Sequence, residues 1–270
     1  MPRQAQSRNI RLIVQYDGRE FCGWQFQQGL RTVQGDVQAA IEAMVHHPVS
    51  LGASSRTDAG VHALAMPANF RTERDIPLIG FLRGLNDKLN HDVAILEVSE
   101  VPAHWDARGA ALAKRYCYRY LLGESRRPLL DRQSWWVRRE RLDVDAMHRA
   151  AQHFVGSHDF SAFRASKCVA RTHRRFMHEL RVEQSPEGDQ VSFYVVGNAF
   201  LTHMVRIMAG TLYRVGLGQS SVDEVADIIA SGERSRAGMT APACGLTLEE
   251  VYFEGYPRIG KAPMVGHEPA

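Results

Sequence analysis

The densest polar run in the chain is Ser54-Ser55-Arg56-Thr57-Asp58-Ala59-Gly60-Val61-His62, set between two apolar stretches. It brings a carboxylate, a guanidinium and three hydroxyls together. Asp followed two places later by Gly is also ordinary turn chemistry, so the run taken alone reads as a turn. It becomes a site if Asp58 is held ionised, the state a carboxylate nucleophile requires. A second segment bears on that condition. In Phe200-Leu201-Thr202-His203-Met204-Val205-Arg206-Ile207-Met208 apolar side chains occupy most faces, which predicts a buried helix. A buried guanidinium without a carboxylate partner carries a penalty of several kcal/mol. Asp58 is the candidate partner for Arg206, and an arginine beside it favours the charged carboxylate.

The elements that must position these groups follow from pattern. Ile10–Tyr16 is aliphatic and β-branched and stops at Asp17-Gly18, which predicts a strand and a turn. Thr32 can cap a helix in which Val33, Val37, Ile41, Met44 and Val45 recur at helical spacing. A short strand over Pro48–Ala53, the polar loop, a strand over Ala63–Phe70, a helix over Leu78–Leu89 and a strand over Val93–Val98 complete a β-α-β-β-α-β order, that of ferredoxin-like folds. The order recurs in a strand over Ala111–Leu122, a helix over Val144–Val155, strands near Phe176–Val182 and Val191–Val196, helices over Phe200–Val215 and Val222–Ile229, and a strand over Leu246–Phe253. This predicts an α+β fold of two ferredoxin-like halves around a cleft, joined near Pro102–Arg108. The expected divisions are 1–106 for the half carrying the Asp58 loop, 107–256 for the second half, and 257–270 for a C-terminal tail.

At 270 residues, 44% hydrophobic and 23% charged, the chain has a globular composition. No apolar run reaches the roughly 20 residues of a membrane span, and the N-terminus lacks a signal-peptide core, so a cytoplasmic protein is expected. Cys22, Cys117, Cys168 and Cys244 form no Cys-x-x-Cys pair and are expected as free thiols. The net charge of +3 is unevenly spread. Residues 114–181 hold 16 basic and 7 acidic side chains, while the segments before and after carry net charges of −1 and −5. Tyr116, Tyr118, Tyr120, Trp135 and Trp136 interleave those cations, a pattern expected of a surface that binds a polyanion with exposed bases. Arg171 and Arg174 are candidates for its phosphate contacts. A solvated basic face is the plainer alternative.

Other chemistries are disfavoured. Gly255-Tyr256-Pro257-Arg258-Ile259-Gly260-Lys261 has phosphate-loop spacing, but Ala262 stands where a magnesium-binding hydroxyl belongs. His148, His153 and His158 are spaced by five and share no helix face, and no His-Glu-x-x-His occurs, so no metal is expected. Neither Gly-x-Ser-x-Gly nor a dinucleotide Gly-x-Gly-x-x-Gly follows a strand.

The chain resembles the tRNA pseudouridine synthase A family. The resemblance is carried by Tyr16–Gln25 (YDGREFCGWQ), Thr32–Gln34 (TVQ), Ser55–Ala63 (SRTDAGVHA) and Asp106–Tyr120 (DARGAALAKRYCYRY). It continues through Gly156–Ala165 (GSHDFSAFRA), Arg171-Thr172, Phe200–Gly210 (FLTHMVRIMAG) and Ala241–Leu246 (APACGL). It implies isomerisation of uridine to pseudouridine at nucleotides 38–40 of the tRNA anticodon stem-loop, without a cofactor, by a homodimer in which tRNA touches both subunits. It also implies a pseudouridine synthase architecture with a central antiparallel sheet. By the same resemblance Asp58 is the catalytic aspartate, Arg206 its partner, Tyr116 the ring stacked on the target uracil, and Arg56 the arginine that helps extrude the nucleotide. His62, Arg171 and Arg174 complete the expected substrate contacts. Ser55, Ala65-Met66 and Trp105-Asp106 depart from the residues usual in the family. A tRNA-binding or RNA-chaperone protein without chemistry, or a synthase acting on another RNA, would share the basic segment. Only an enzyme requires Asp58 to face Arg206.

Overall fold

The computed structural model describes residues 7–138 and 141–254; the phosphate-loop-like stretch from Gly255 and the expected 257–270 tail lie outside the described residues. The first half runs β1 (Arg8–Tyr16), α1 (Val33–Val45), β2 (Gly52–Ala53), β3 (His62–Thr72), α2 (Leu78–Asn86) and β4 (Val93–Val101). The second runs β5 (Ala111–Leu122), β6 (Trp135–Val137), α3 (Val144–Gln152), β7 (Gly156–Asp159), β8 (Arg174–Gln184), β9 (Gln190–Gly197), α4 (Met204–Gly216), α5 (Glu224–Ser231) and β10 (Leu246–Phe253). No helix of the described residues is long and apolar enough to cross a membrane.

All ten strands join one sheet in the order β4-β1-β3-β10-β5-β9-β8-β7, with β2 on β3 and β6 on β5. Pairing is antiparallel except for β5–β6 and for the β3–β10 seam, where β10 runs parallel to β3 through Thr247↔His62 and Leu248↔Ala63. β10 thus lies between β3 and β5, although it comes last among the described strands. The protein is an α+β fold on a large, mostly antiparallel sheet.

Apolar spacing explains the helices. Thr32 accepts a hydrogen bond from the Gly35 N–H, and Val33, Val37, Ile41 and Val45 of α1 are buried. Asp143 caps α3 in the same way, accepting from Ala146 N–H.

Several boundaries differ from the sequence expectation for local reasons. The strand expected over Pro48–Ala53 shrinks to Gly52–Ala53; proline has no N–H for a ladder, and the Val49 N–H donates to Glu42 Oε1 of α1 instead. The helix expected from Phe200 begins at Met204, because His203 adopts φ 62° and ψ 3°, a left-handed conformation that cannot continue a right-handed helix. β6 and β7 were not anticipated.

The expectation that Tyr118 and Tyr120 offer stacking surfaces is corrected. Both are 0% exposed. Alternate residues of a strand share a face, and on β5 the tyrosine face is the one covered by helix: Tyr120 Oη donates to the Ala209 carbonyl of α4 and Tyr118 Oη to Pro242. The interleaved Arg115 and Arg119 point to the other face, where both pair with Glu249. Part of the positive charge of residues 114–181 is therefore neutralised within the fold.

Candidate active site

The polar loop enters β3 held from below by the turn after β1. Tyr16 Oη and Thr57 Oγ1 lie 2.7 Å apart, Trp24 N–H donates to the Thr57 carbonyl, and Gly60 N–H donates to Phe21. Gly23 permits this approach: its φ is +93°, and a Cβ there would stand 2.7 Å from the Thr57 carbonyl oxygen. On the far side Ser54 donates twice to Pro67, through its N–H and its hydroxyl. Asp58 is fixed between these anchors, and its backbone carbonyl accepts from Val61 N–H.

Across the β3–β10 seam, the first turn of α4 meets that carboxylate. Arg206 Nη1 lies 3.5 Å from Asp58 Oδ2, and His203 Nε2 lies 3.7 Å from the same oxygen. The side chains of Asp58 and Arg206 retain 25% and 15% exposure, so the pair is half-buried, less enclosed than the apolar helix pattern predicts. Arg206 is steered from behind as well: its Nε donates to the Ala241 carbonyl at 2.8 Å, and Ala241 N–H donates back to the Arg206 carbonyl. The segment 238–241 comes this close because Gly210 of α4 has no Cβ; one would sit 1.9 Å from the Met239 oxygen. The left-handed His203 costs about 1–2 kcal/mol and places its ring on Asp58 rather than on a helix cap.

Asp58 opens into a cleft of about 540 Å³. Tyr116 of β5 forms part of its wall. The Tyr116 ring meets Phe200 edge-on at 5.1 Å, and its hydroxyl lies 2.8 Å from Ser55 Oγ. Burial pushes the phenol up to about 12, against the lowering effect of the Ser55 bond. Arg56, Arg108, Lys114 and Arg175 also line the cleft, and Asp58 is the sole carboxylate among its lining residues. Burial, with Arg108 nearby, holds the Lys114 ammonium below its ordinary value, and burial does the same to Arg175. The cleft therefore presents several cations to whatever enters, with one anion at its floor. Arg56 is exposed at its edge, with no ion pair to a described residue.

The expected site residues divide accordingly. Asp58, Arg206, Tyr116 and Arg56 come together. His62 does not: it is buried on the other side of the loop, where Nδ1 accepts from Gly18 N–H at 3.2 Å and lies 3.3 Å from Asp17 Oδ1, while Nε2 lies 3.2 Å from the Cys244 carbonyl. This is consistent with a neutral ring protonated on Nε2, and burial lowers its pKa despite Asp17. Arg171 and Arg174 are exposed and stand outside the cleft lining, whereas their neighbour Arg175 lines it. His203, Arg175, Arg108 and Lys114 were not singled out by sequence. His203 carried no local signal, since its place beside Asp58 depends on its left-handed backbone at φ 62° and not on helical spacing. Among the described residues no group of three or more His, Cys, Asp or Glu side chains is placed to hold a metal ion. The four cysteines are free.

Comparison with known proteins places this geometry in context. A sequence profile described as tRNA pseudouridine synthase matches residues 12–108 and 150–254. The chain is 45% identical over 246 residues to tRNA pseudouridine synthase A of Geotalea daltonii, covering 91% of this chain and 100% of that one. It is 46% identical over 247 residues to the protein of the same name from Geobacter sp. strain M21, covering 91% and 99%. It is 43% identical over 248 residues to that of Myxococcus xanthus, covering 92% and 93%. Among solved structures, a chain of a Cbf5-Nop10-Gar1 complex superposes with a TM-score of 0.34 at 12% identity, over 88% of this chain and 57% of that one.

Proposed function

The chain belongs to the tRNA pseudouridine synthase family, a family of isomerases, and from that premise we propose that the Asp58 cleft is where uridines at nucleotides 38–40 of the tRNA anticodon stem-loop become pseudouridine. The reaction breaks the bond from uracil N1 to ribose C1′, turns the base over while it is held, and rejoins it through C5. No electrons are gained or lost overall, which suits a cleft that supplies a carboxylate, cations and aromatic surface.

The observation that carries the reading is the convergence on Asp58 Oδ2 of Arg206 and His203 at the floor of a cationic cleft. The Arg206 guanidinium beside that oxygen fixes the orientation of the carboxylate, leaving Oδ1 to act. Whether the carboxylate adds to C1′, adds to the uracil ring or takes a sugar proton, it must be ionised to do so. A target in a stem must first leave its stack at a cost of a few kcal/mol. Arg56, exposed at the edge and with no ion pair to a described residue, is suited to fill the vacated space, and the Tyr116 wall to receive the base. Arg108, Lys114 and Arg175 are suited to the flanking phosphates, with the exposed Arg171 and Arg174 as outer contacts beyond the cleft. His62 acts on substrate only through the loop it supports.

We read the fold as two ferredoxin-like halves, 1–106 and 107–256, supported by the matching orders β4-β1-β3-β2 and β10-β5-β9-β8. We further propose a cytoplasmic homodimer in which tRNA contacts both subunits. The decisive experiment maps pseudouridine in unmodified tRNA incubated with the protein and with Asp58→Asn. The wild type should modify the anticodon arm; the variant should lose at least 100-fold in rate while tRNA affinity stays within a few-fold. Turnover of Asp58→Asn above about one per cent of wild type would contradict the role of the carboxylate.

A further inference from the structure

The proposed reaction leaves one proton to be moved, and an imidazole stands beside Asp58 in the cleft. After reattachment, C5 carries both its hydrogen and the new bond to C1′. When that hydrogen leaves as a proton, the C–H electron pair becomes the C5=C6 double bond, the C6=N1 pair moves onto N1, and N1 takes up a proton. A base must therefore reach C5. Because C5 is then bonded directly to C1′, that base must stand beside the group that worked at C1′. Resting on the reading of Asp58 given above, we propose that His203 is the base that removes the C5 proton.

The placement of His203 meets the requirement. Its Nε2 stands 3.7 Å from Asp58 Oδ2, its side chain is 36% exposed, and it lines the cleft. The ring makes no hydrogen bond to a described residue that would occupy it, and it does not cap α4. The left-handed backbone at φ 62° turns the ring to the carboxylate instead of into the helix.

The other proton acceptors of the cleft are worse placed. The Tyr116 hydroxyl is engaged with Ser55, and burial makes it hold its proton. Cys168, whose thiol is held below its ordinary value by hydrogen bonds with the Ala170 and Thr202 backbone against the opposing effect of burial, is engaged with that loop and not with Asp58. Lys114 stands two residues along β5 from Tyr116, about 7 Å further from the seam, beside Arg108. A carboxylate is a much weaker base near neutrality than an imidazole. The proton accepted on Nε2 makes an imidazolium that Asp58 stabilises, and the ring is open enough to release it to water.

The test is single-turnover pseudouridine formation on tRNA carrying protium or deuterium at uridine C5, with wild type, His203→Asn, His203→Ala and Asp58→Asn. Asparagine tolerates the left-handed conformation, so His203→Asn keeps the backbone if His203→Ala fails to fold. The maximal rate of His203→Asn should fall by roughly 100- to 10,000-fold, with tRNA Kd changed less than threefold. The C5-deuterium effect should rise above that of wild type, and added imidazole should restore part of the rate to His203→Ala or His203→Asn. A rate within fivefold of wild type would overturn the assignment. So would a slow variant whose isotope effect does not rise and which imidazole does not rescue, since that result makes His203 a positioning group for Asp58. Absence of pseudouridine with wild type would refute the function itself, a result separable from loss of the base alone.

Discussion

Removing Arg206 should affect folding as well as chemistry, and the structure sets the size of the effect. At the 3.5 Å separation of Nη1 and Oδ2, two unit charges attract by about 1 kcal/mol in water and about 5 kcal/mol at an effective dielectric of 20. The 15% and 25% exposures of the two side chains place the pair between these limits. Arg206→Ala also removes the 2.8 Å bond from Nε to the Ala241 carbonyl, a charged hydrogen bond of about 1.5–3 kcal/mol. Water reaching the quarter-exposed Asp58 offsets part of the loss, leaving about 3 kcal/mol. For a chain of this size each kcal/mol shifts Tm by about 2–4 °C, so Arg206→Ala should melt roughly 6–12 °C below wild type. Asp58→Asn is the control. It deletes the attraction but leaves Arg206 bonded to Ala241, so its Tm should fall by less than that of Arg206→Ala. Thermal melts of the three proteins at one salt concentration decide the matter. A drop under about 2 °C for Arg206→Ala, or an equal drop for Asp58→Asn, would refute the account of a guanidinium shared between carboxylate and carbonyl.

Arg56→Ala should leave Tm within about 2 °C of wild type, because the side chain is exposed and pairs with no described residue, yet slow a stem-embedded uridine more than an unstacked one; equal slowing in single-turnover assays would remove the extrusion role. Lys114→Gln with Arg175→Gln should flatten the dependence of log Kd on log salt by about 1.5, at roughly 0.7–0.9 for each phosphate no longer neutralised, whereas an unchanged slope in filter-binding titrations would put the phosphates elsewhere. Charge reversal at Arg171 and Arg174 tests the outer part of the same track and should also lessen the slope. His62 has a folded pKa below its unfolded value of 6.5, so its contribution is complete above pH 6.5 and is lost as pH falls below it. Tm should therefore decline between pH 7 and pH 5 more steeply in wild type than in His62→Gln, and identical slopes would show that His62 is not the group responsible.

Periodicity located most of the elements. β5 and β10 fall at the expected residues because Ala111–Leu122 and Leu246–Phe253 are dense in strand-forming side chains with sharp ends. What periodicity lacked was the identity of the covered face. On β5 the tyrosines and arginines alternate cleanly, but nothing local says that α4 lies over the tyrosines. On β8, Arg174 and Arg175 fall on opposite sides by the same rule, and the cleft receives Arg175. The encounter of Asp58 with Arg206 was legible because a guanidinium on an apolar helix needs a partner. The position of His203 was not legible, since it depends on a backbone conformation that histidine adopts only when tertiary contacts enforce it.

The place of β10 has a bearing on synthesis. Asp58 emerges early and Arg206 late, and β10, which joins β3 to β5, is the latest described strand to leave the ribosome. Until it inserts, β3 and β5 each present an unsatisfied edge toward the other, and the carboxylate has no fixed counterpart. A nascent or prematurely terminated chain therefore lacks the Asp58–Arg206 contact, which the middle of the sheet completes when β10 enters between β3 and β5.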